Sequence, residues 1–160
     1  MSKSFLTLLE MLAENDVEFV IIGGFAGVVH GCTYVTQDVD ICCDFSTENL
    51  LKLEKSLKEV NPVHRMTPER LKLELNEKNA GQFKNLYLDT DMGQLDCLSV
   101  VEGVGDFEKV KEKSQTIEVD GVKMRVLNIE ALIEAKKAMN RPRDRQMVDQ
   151  LEKIKKPEDQ

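Results

Sequence analysis

The chain has 160 residues, 41% of them apolar and 32% charged, with 22 Lys plus Arg against 29 Asp plus Glu for a net charge of −7. That is ordinarily one domain with enough apolar content to build a core, so collagen-like, low-complexity and wholly disordered classes are excluded. The acidic balance argues against wrapping nucleic acid by charge alone, and any polynucleotide partner needs a local basic patch.

Phe5, Leu8, Leu9 and Leu12 recur at helical spacing, which predicts an amphipathic helix over 4–14, capped by Ser4 or Ser2 and ended by Asn15-Asp16. This start lacks the pattern of a signal peptide. The apolar run over 19–29 is broken by Gly23, Gly24 and Gly27 and falls short of the roughly 20 residues that span a bilayer. A cytoplasmic protein without a membrane segment is expected. Residues 17–22 read as a buried strand, with Gly23-Gly24 turning into a small-residue helix over about 25–29. Residues 37–43 read as a second strand. Ser46-Thr47-Glu48 then opens a helix carrying Leu50, Leu51, Leu53 and Leu57.

Further on, Asn61-Pro62 marks a turn, Thr67-Pro68-Glu69 opens a short helix, and Leu71, Leu73 and Leu75 alternate as in a strand. Strands over 85–89 and 94–100 flank the hairpin turn Thr90-Asp91-Met92-Gly93. A helix over 107–113 precedes a second hairpin, 115–119 with 122–126, about Asp120-Gly121. Asn128 caps a helix reaching Met139, Pro142 begins the last helix, and 155–160 should fray. No repeat or linker divides the chain, so one unit over 1–156 is expected, with a core over about 4–126 and C-terminal helices over about 128–155. Cys32, Cys42, Cys43 and Cys97 form no C-x-x-C pair and read as reduced packing thiols.

The chemistry concentrates between Gly23 and Ile41. On an extended strand Asp38 and Asp40 point to one side while Val39 and Ile41 enter the core. Two carboxylates that close repel, and in a partly desolvated site they call for a cation such as Mg²⁺. The Gly-Gly turn exposes backbone N–H groups at a helix start, which favours phosphate. Neighbouring readings fail on spacing. Ile22 stands where a Rossmann turn needs its first glycine, Val100 stands where a calcium loop needs Glu, and neither G-x-x-x-x-G-K-[ST] nor G-x-S-x-G occurs. His30 follows the small helix and reads as its cap or as a core hydrogen-bonding group.

A strand, Gly23-Gly24, a helix and then Asp38-Val39-Asp40 on a strand resembles the nucleotidyltransferase superfamily that includes DNA polymerase beta. The run Gly23-Gly24-Phe25-Ala26 through His30-Gly31 to Thr36-Gln37-Asp38-Val39-Asp40 is most similar to small bacterial AbiEii-like toxin-type nucleotidyltransferases, as are Lys136 and Arg141-Pro142-Arg143-Asp144. The resemblance spans about 4–155, leaves 58–84 without a named motif, and departs at Gly24, where Ser is common, and at Tyr34, where Arg is frequent.

The resemblance implies an α/β fold with a mixed sheet flanked by helices and closed by C-terminal helices. It implies transfer of an NMP group from an NTP to an RNA, protein or small-molecule acceptor, with release of pyrophosphate. Asp38, Asp40 and a third carboxylate on a later strand, met by Asp96, would be catalytic and hold two Mg²⁺ ions, while Gly23, Gly24, Thr36 and Lys136 would bind the nucleotide. The alternative is a non-catalytic nucleotide- or partner-binding module, such as one component of a toxin-antitoxin pair with a cognate antitoxin. Lys136, Lys137, Arg141, Arg143 and Arg145 form a local positive cluster in which Lys136 is expected to turn toward the triphosphate and Lys137 and Arg141 toward an RNA acceptor, and Asp144 between Arg143 and Arg145 reads as part of an intrahelical ion pair.

Overall fold

The computed structural model describes residues 3–155. The first part of the chain forms α1 (Lys3–Glu14), β1 (Phe19–Ile22), α2 (Gly23–Val29), β2 (Asp38–Cys43) and α3 (Thr47–Leu57). The middle supplies β3 (Val63–His64), the hairpin β4 (Asn85–Thr90) and β5 (Gly93–Leu98), and the two-residue strands β6 (Val100–Val101) and β7 (Gly105–Asp106). The last part forms α4 (Phe107–Glu112), the hairpin β8 (Ser114–Val119) and β9 (Val122–Leu127), α5 (Ile129–Met139) and α6 (Pro142–Lys155). Seven strands make one mixed sheet in the order β3-β4-β5-β2-β1-β9-β8, and β6 pairs with β7 in a separate ribbon. The expected α/β class with a mixed sheet and flanking helices is the observed one.

Hydrophobic patterning explains the placement. All four residues of β1 are buried, and the strand lies inside the sheet between antiparallel β2 and parallel β9. A strand covered on both faces reads as a continuous apolar run. Leu8, Leu9 and Leu12 of α1 are wholly buried; each such side chain contributes about 2 kcal/mol by leaving water. The caps on α3 and α5 form as expected, Ser46 Oγ accepting from Asn49 N at 3.3 Å and Asn128 Oδ1 from Ala131 N at 2.8 Å. Asp120 and Gly121 both take positive φ, 51° and 81°, the backbone that a two-residue hairpin requires. The four cysteines are buried and unpaired, and burial pushes the Cys42 thiol up to about 12.

Five expectations are corrected. The first helix already includes Ser4, which therefore does not cap it, and Ser2 lies outside the described residues. Thr67-Pro68-Glu69 opens a turn, not a helix: Thr67 Oγ1 donates to His64 O and accepts from Leu71 N, and Arg70 takes φ 48°. Leu71, Leu73 and Leu75 make no strand, only a single bridge between Lys72 and Val63, although Leu73 and Leu75 are buried. The strand expected over 94–100 ends at Leu98, because Val100 and Val101 pair with β7. Of the residues expected to fray, Lys155 is instead the last residue of α6, and 156–160 lie outside the described residues.

Candidate active site

Strand register builds the site. Along β2, Asp38 and Asp40 are half-buried while Val39 and Ile41 are fully buried, as period-2 alternation demands. Strand β5 runs parallel to β2 with Asp40 beside Asp96 and Asp38 beside Gln94. One carboxylate oxygen from each of Asp38, Asp40 and Asp96 lies within 4.8 Å of the others. Burial, followed by repulsion from Asp38 and Asp96, pushes the Asp40 carboxyl up to about 7. Burial and the charge of Asp96 raise Asp38 as well. Three clustered oxygen donors that are strained as bare anions fit a hard divalent cation such as Mg²⁺.

The Gly23-Gly24 turn lies over this cluster because Ile22 of β1 is in register with Asp40. Gly23 has φ +69°, and a Cβ there would fall on the Asp40 carboxylate. A Cβ on Gly24 would lie 2.6 Å from Tyr34 Cε2 and 3.5 Å from Thr36 Oγ1. Thr36 Oγ1 donates to Asp38 O at 2.7 Å, fixing the entry to β2. His30 is the C-cap residue of α2, and its Nε2 lies 2.8 Å from Leu127 O, the cap-or-core role read from sequence.

Lys136 reaches the same site from α5. It is 5% exposed, and its Nζ lies 3.3 Å from Oδ1 of Asp144, which is 1% exposed. Arg141 grips Asp144 through Nε and Nη2 and donates its backbone N–H at 3.1 Å. Asp144 therefore pairs with Lys136 and Arg141 rather than with Arg143 and Arg145, which corrects the intrahelical reading. The Arg141 hydrogen bonds draw its carboxyl down to about 2 against the opposing effect of burial. Arg145 donates to Asn140 O at 2.7 Å. Of the two cations expected to meet RNA, Arg141 is engaged by Asp144 and Lys137 stays exposed, as do Arg143 and Arg145.

Two residues near the carboxylates were not singled out from sequence. Arg65, just after β3, places Nη1 2.7 Å from Asp96 Oδ1 and 3.0 Å from Leu88 O. It sits in the unassigned stretch 58–84, where no motif distinguishes it. Tyr87 stands opposite Asp96 in the β4–β5 hairpin. That position was accessible, because pairing Thr90 with Gly93 across the turn also pairs Tyr87 with Asp96.

Two clefts flank the carboxylates. One of about 490 Å³ is lined by Gly24, Tyr34, Thr36, Gln94, Arg143 and the three aspartates, among others. The other, about 290 Å³, lies between Asp40, Tyr87, Leu132, Met139, Val101 and Glu102. Asp40, Tyr87, Leu98, Lys136, Met139 and Arg141 border both.

The sheet, the Gly-Gly turn and the carboxylate trio together define a nucleotidyltransferase. Residues 1–159 match the family described as "Nucleotidyl transferase of unknown function (DUF2204)", and the chain belongs to that family. No curated protein matches the chain. Among solved structures, it is similar to the lincosamide antibiotic adenylyltransferase LnuA, lincomycin-bound, with TM-score 0.64 and 15% identity over 96% of this chain and 98% of that one. It is also similar to ANT(2")-Ia in complex with adenylyl-2"-tobramycin, with TM-score 0.56 and 16% identity over 97% and 94% of the two chains. An antigenic nucleotidyltransferase-like protein from Paracoccidioides brasiliensis gives TM-score 0.59 and 14% identity over 96% and 76%. At these identities the likeness is one of fold. No helix among the described residues is long and apolar enough to cross a membrane.

Proposed function

We propose that the protein transfers an NMP group from an NTP to a hydroxyl of a small-molecule acceptor, with Asp38, Asp40 and Asp96 as the metal-holding catalytic trio. The observation that carries this reading is the parallel β2–β5 register, which gathers the three carboxylates beneath the Gly23-Gly24 turn. Bound Mg²⁺ would neutralise the charge that develops on the phosphates during transfer. The N–H of Gly24, in the first turn of α2, has no intrahelical partner and suits a phosphate oxygen, with Thr36 and Lys136 beside it. The acceptor oxygen attacks the α-phosphorus, the bond to the β-phosphate oxygen breaks, and pyrophosphate leaves. Arg65 holds Asp96 Oδ1 at 2.7 Å, which leaves the other Asp96 oxygen available to take the acceptor proton.

The acceptor class follows from the second cleft. At about 290 Å³ it admits a ring-sized body, and Val101, Leu132 and Met139 give it apolar walls. Exposed Tyr87, Val100 and Met139 all border it, whereas Arg141, one of the two cations expected to meet RNA, is committed to Asp144. Of the structures of similar fold, one is a lincosamide antibiotic adenylyltransferase bound to lincomycin and another is in complex with adenylyl-2"-tobramycin. The NTP requirement and four unpaired thiols suit a reducing, cytoplasmic setting.

Incubation with each labelled NTP, Mg²⁺ and a cell extract separated into RNA, protein and small-molecule fractions tests this reading. Label in the small-molecule fraction with pyrophosphate release is expected; label in RNA or protein instead contradicts the acceptor class. NTP binding with no pyrophosphate release in any fraction would favour the non-catalytic alternative. The narrower likeness to AbiEii-like toxins predicts growth arrest on expression, relieved by a partner protein, and normal growth would end it.

A further inference from the structure

The two positions at which the sequence departs from the pattern it resembles, Gly24 and Tyr34, meet in space. A Cβ on Gly24 would lie 2.6 Å from Tyr34 Cε2 and 3.1 Å from Tyr34 Cδ2, so the ring lies against the bare glycine and leaves no room for a serine. Both flanks of the ring are held. Thr33 N–H donates to Gln150 Oε1 of α6 at 2.8 Å, and Gln150 Nε2 donates back to Thr33 O at 3.2 Å. On the other side Thr36 Oγ1 donates to Asp38 O at 2.7 Å. The half-buried ring walls both the carboxylate cleft and an apolar cleft of about 230 Å³ formed with Phe5, Phe25 and Val28.

The donors around the carboxylate cleft are mostly spoken for. Lys136 and Arg141 are held by Asp144 and Arg65 by Asp96, while Arg143 lines the cleft from an exposed position. Of the hydroxyls, that of Thr36 is given to Asp38 O and that of Tyr87 belongs to β4, beyond Asp96. The Tyr34 hydroxyl bonds to no group among the described residues and is open to solvent. It lies within electrostatic reach of Arg141, which lines the same cleft.

We infer that Gly24 and Tyr34 are one matched exchange: the missing side chain at 24 makes room for the Tyr34 ring, whose hydroxyl donates to the nucleotide polyphosphate beside the Gly24 N–H. This inference rests on the Gly-Gly turn being the phosphate site proposed above. A hydroxyl donating to an ionised phosphate oxygen makes a charge-assisted hydrogen bond, stronger than one between neutral groups. Tyr34 thus supplies from the following loop the donor that a serine in the turn would have supplied.

The test is calorimetric titration of the full-length protein with inorganic triphosphate in saturating Mg²⁺, a probe that carries no base. Tyr34→Phe deletes only the hydroxyl, so binding should weaken about tenfold while the urea midpoint stays unchanged, because no protein group loses a partner. Gly24→Ser should weaken binding at least as much by displacing the ring. In a Tyr34→Ala background the same Gly24→Ser should cost nothing further, since the ring no longer blocks the serine. Equal affinity of Tyr34→Phe and wild type overturns the inference, as does a Gly24→Ser cost that is the same with and without the ring. Tyr34→Phe keeps the ring in place, so the inference stays open to refutation even if Gly24→Ser fails to fold. Wild type that binds no triphosphate contradicts the phosphate reading of the turn and this inference with it. Normal wild-type binding with an indifferent Tyr34→Phe contradicts this inference alone.

Discussion

A Cβ at position 23 would meet the Asp40 carboxylate, and the backbone there has φ +69°. Gly23→Ala should therefore cost about 1 kcal/mol or more in stability from the left-handed backbone alone. Its larger effect should be to displace Asp40 and weaken Mn²⁺ binding. Urea unfolding beside Mn²⁺ titration checks this; intact metal affinity would show that Asp40 is free to move aside. Gly24 behaves differently, because its neighbour is the Tyr34 ring. Gly24→Val should reshape the cleft wall and reduce nucleotide affinity more than stability, which calorimetry and unfolding together resolve. At this scale Asp38, Asp40 and the Gly-Gly turn were legible, since they lie close in sequence and strand alternation fixes their faces. Arg65 was not, because its meaning comes from a neighbour 31 positions away and its local sequence is irregular.

The elements that close the site are α5 and α6, and one carboxylate joins them. Asp144 receives Lys136 from α5 and Arg141 from the connection between the helices. Asn140 makes that connection tight by taking φ 52° at the end of α5. Asp144→Asn would leave the buried Lys136 charge without its anionic partner, and a loss of about 3 kcal/mol or more is expected in denaturant unfolding. Lys136→Met should cost less, because Asp144 keeps Arg141. Equal costs would contradict this hierarchy. The sequence displays half of the arrangement: Pro142 opens a helix and Asp144 stands where a first-turn carboxylate reaches back to the preceding N–H. The other half, the buried lysine two turns earlier, looks like any surface lysine until tertiary packing places it. The β4–β5 hairpin was readable for a different reason, since its two-residue turn fixes the register of the pair.

For the molecule as a whole, the acid cluster should set the pH dependence of stability. Asp40 has a folded pKa of about 7 against an ordinary value of 3.8, so the native state holds the extra proton between these limits. Metal-free stability should fall as pH rises from 4 to 7, by on the order of 4 kcal/mol at most. Asp144, lowered to about 2, contributes stability above pH 4 that is lost as pH falls toward 2. Melting temperature in EDTA should thus peak in mildly acid solution. Asp40→Asn should remove the decline above it, and Mg²⁺ should raise wild-type stability most at pH 7 and above. A flat profile between pH 4 and 7 would show that Asp40 is not strained in the free protein.

The most direct test of the central claim compares wild type with Asp40→Asn in Mg²⁺-dependent release of pyrophosphate from NTP, using the acceptor fraction that takes up label. Wild type should turn over only with divalent metal. Asp40→Asn, folded and at least as stable without metal, should lose about 10³-fold or more in rate. Equal rates in the two proteins, or wild-type turnover undiminished by EDTA, would contradict a metal-holding role for the Asp38, Asp40 and Asp96 trio.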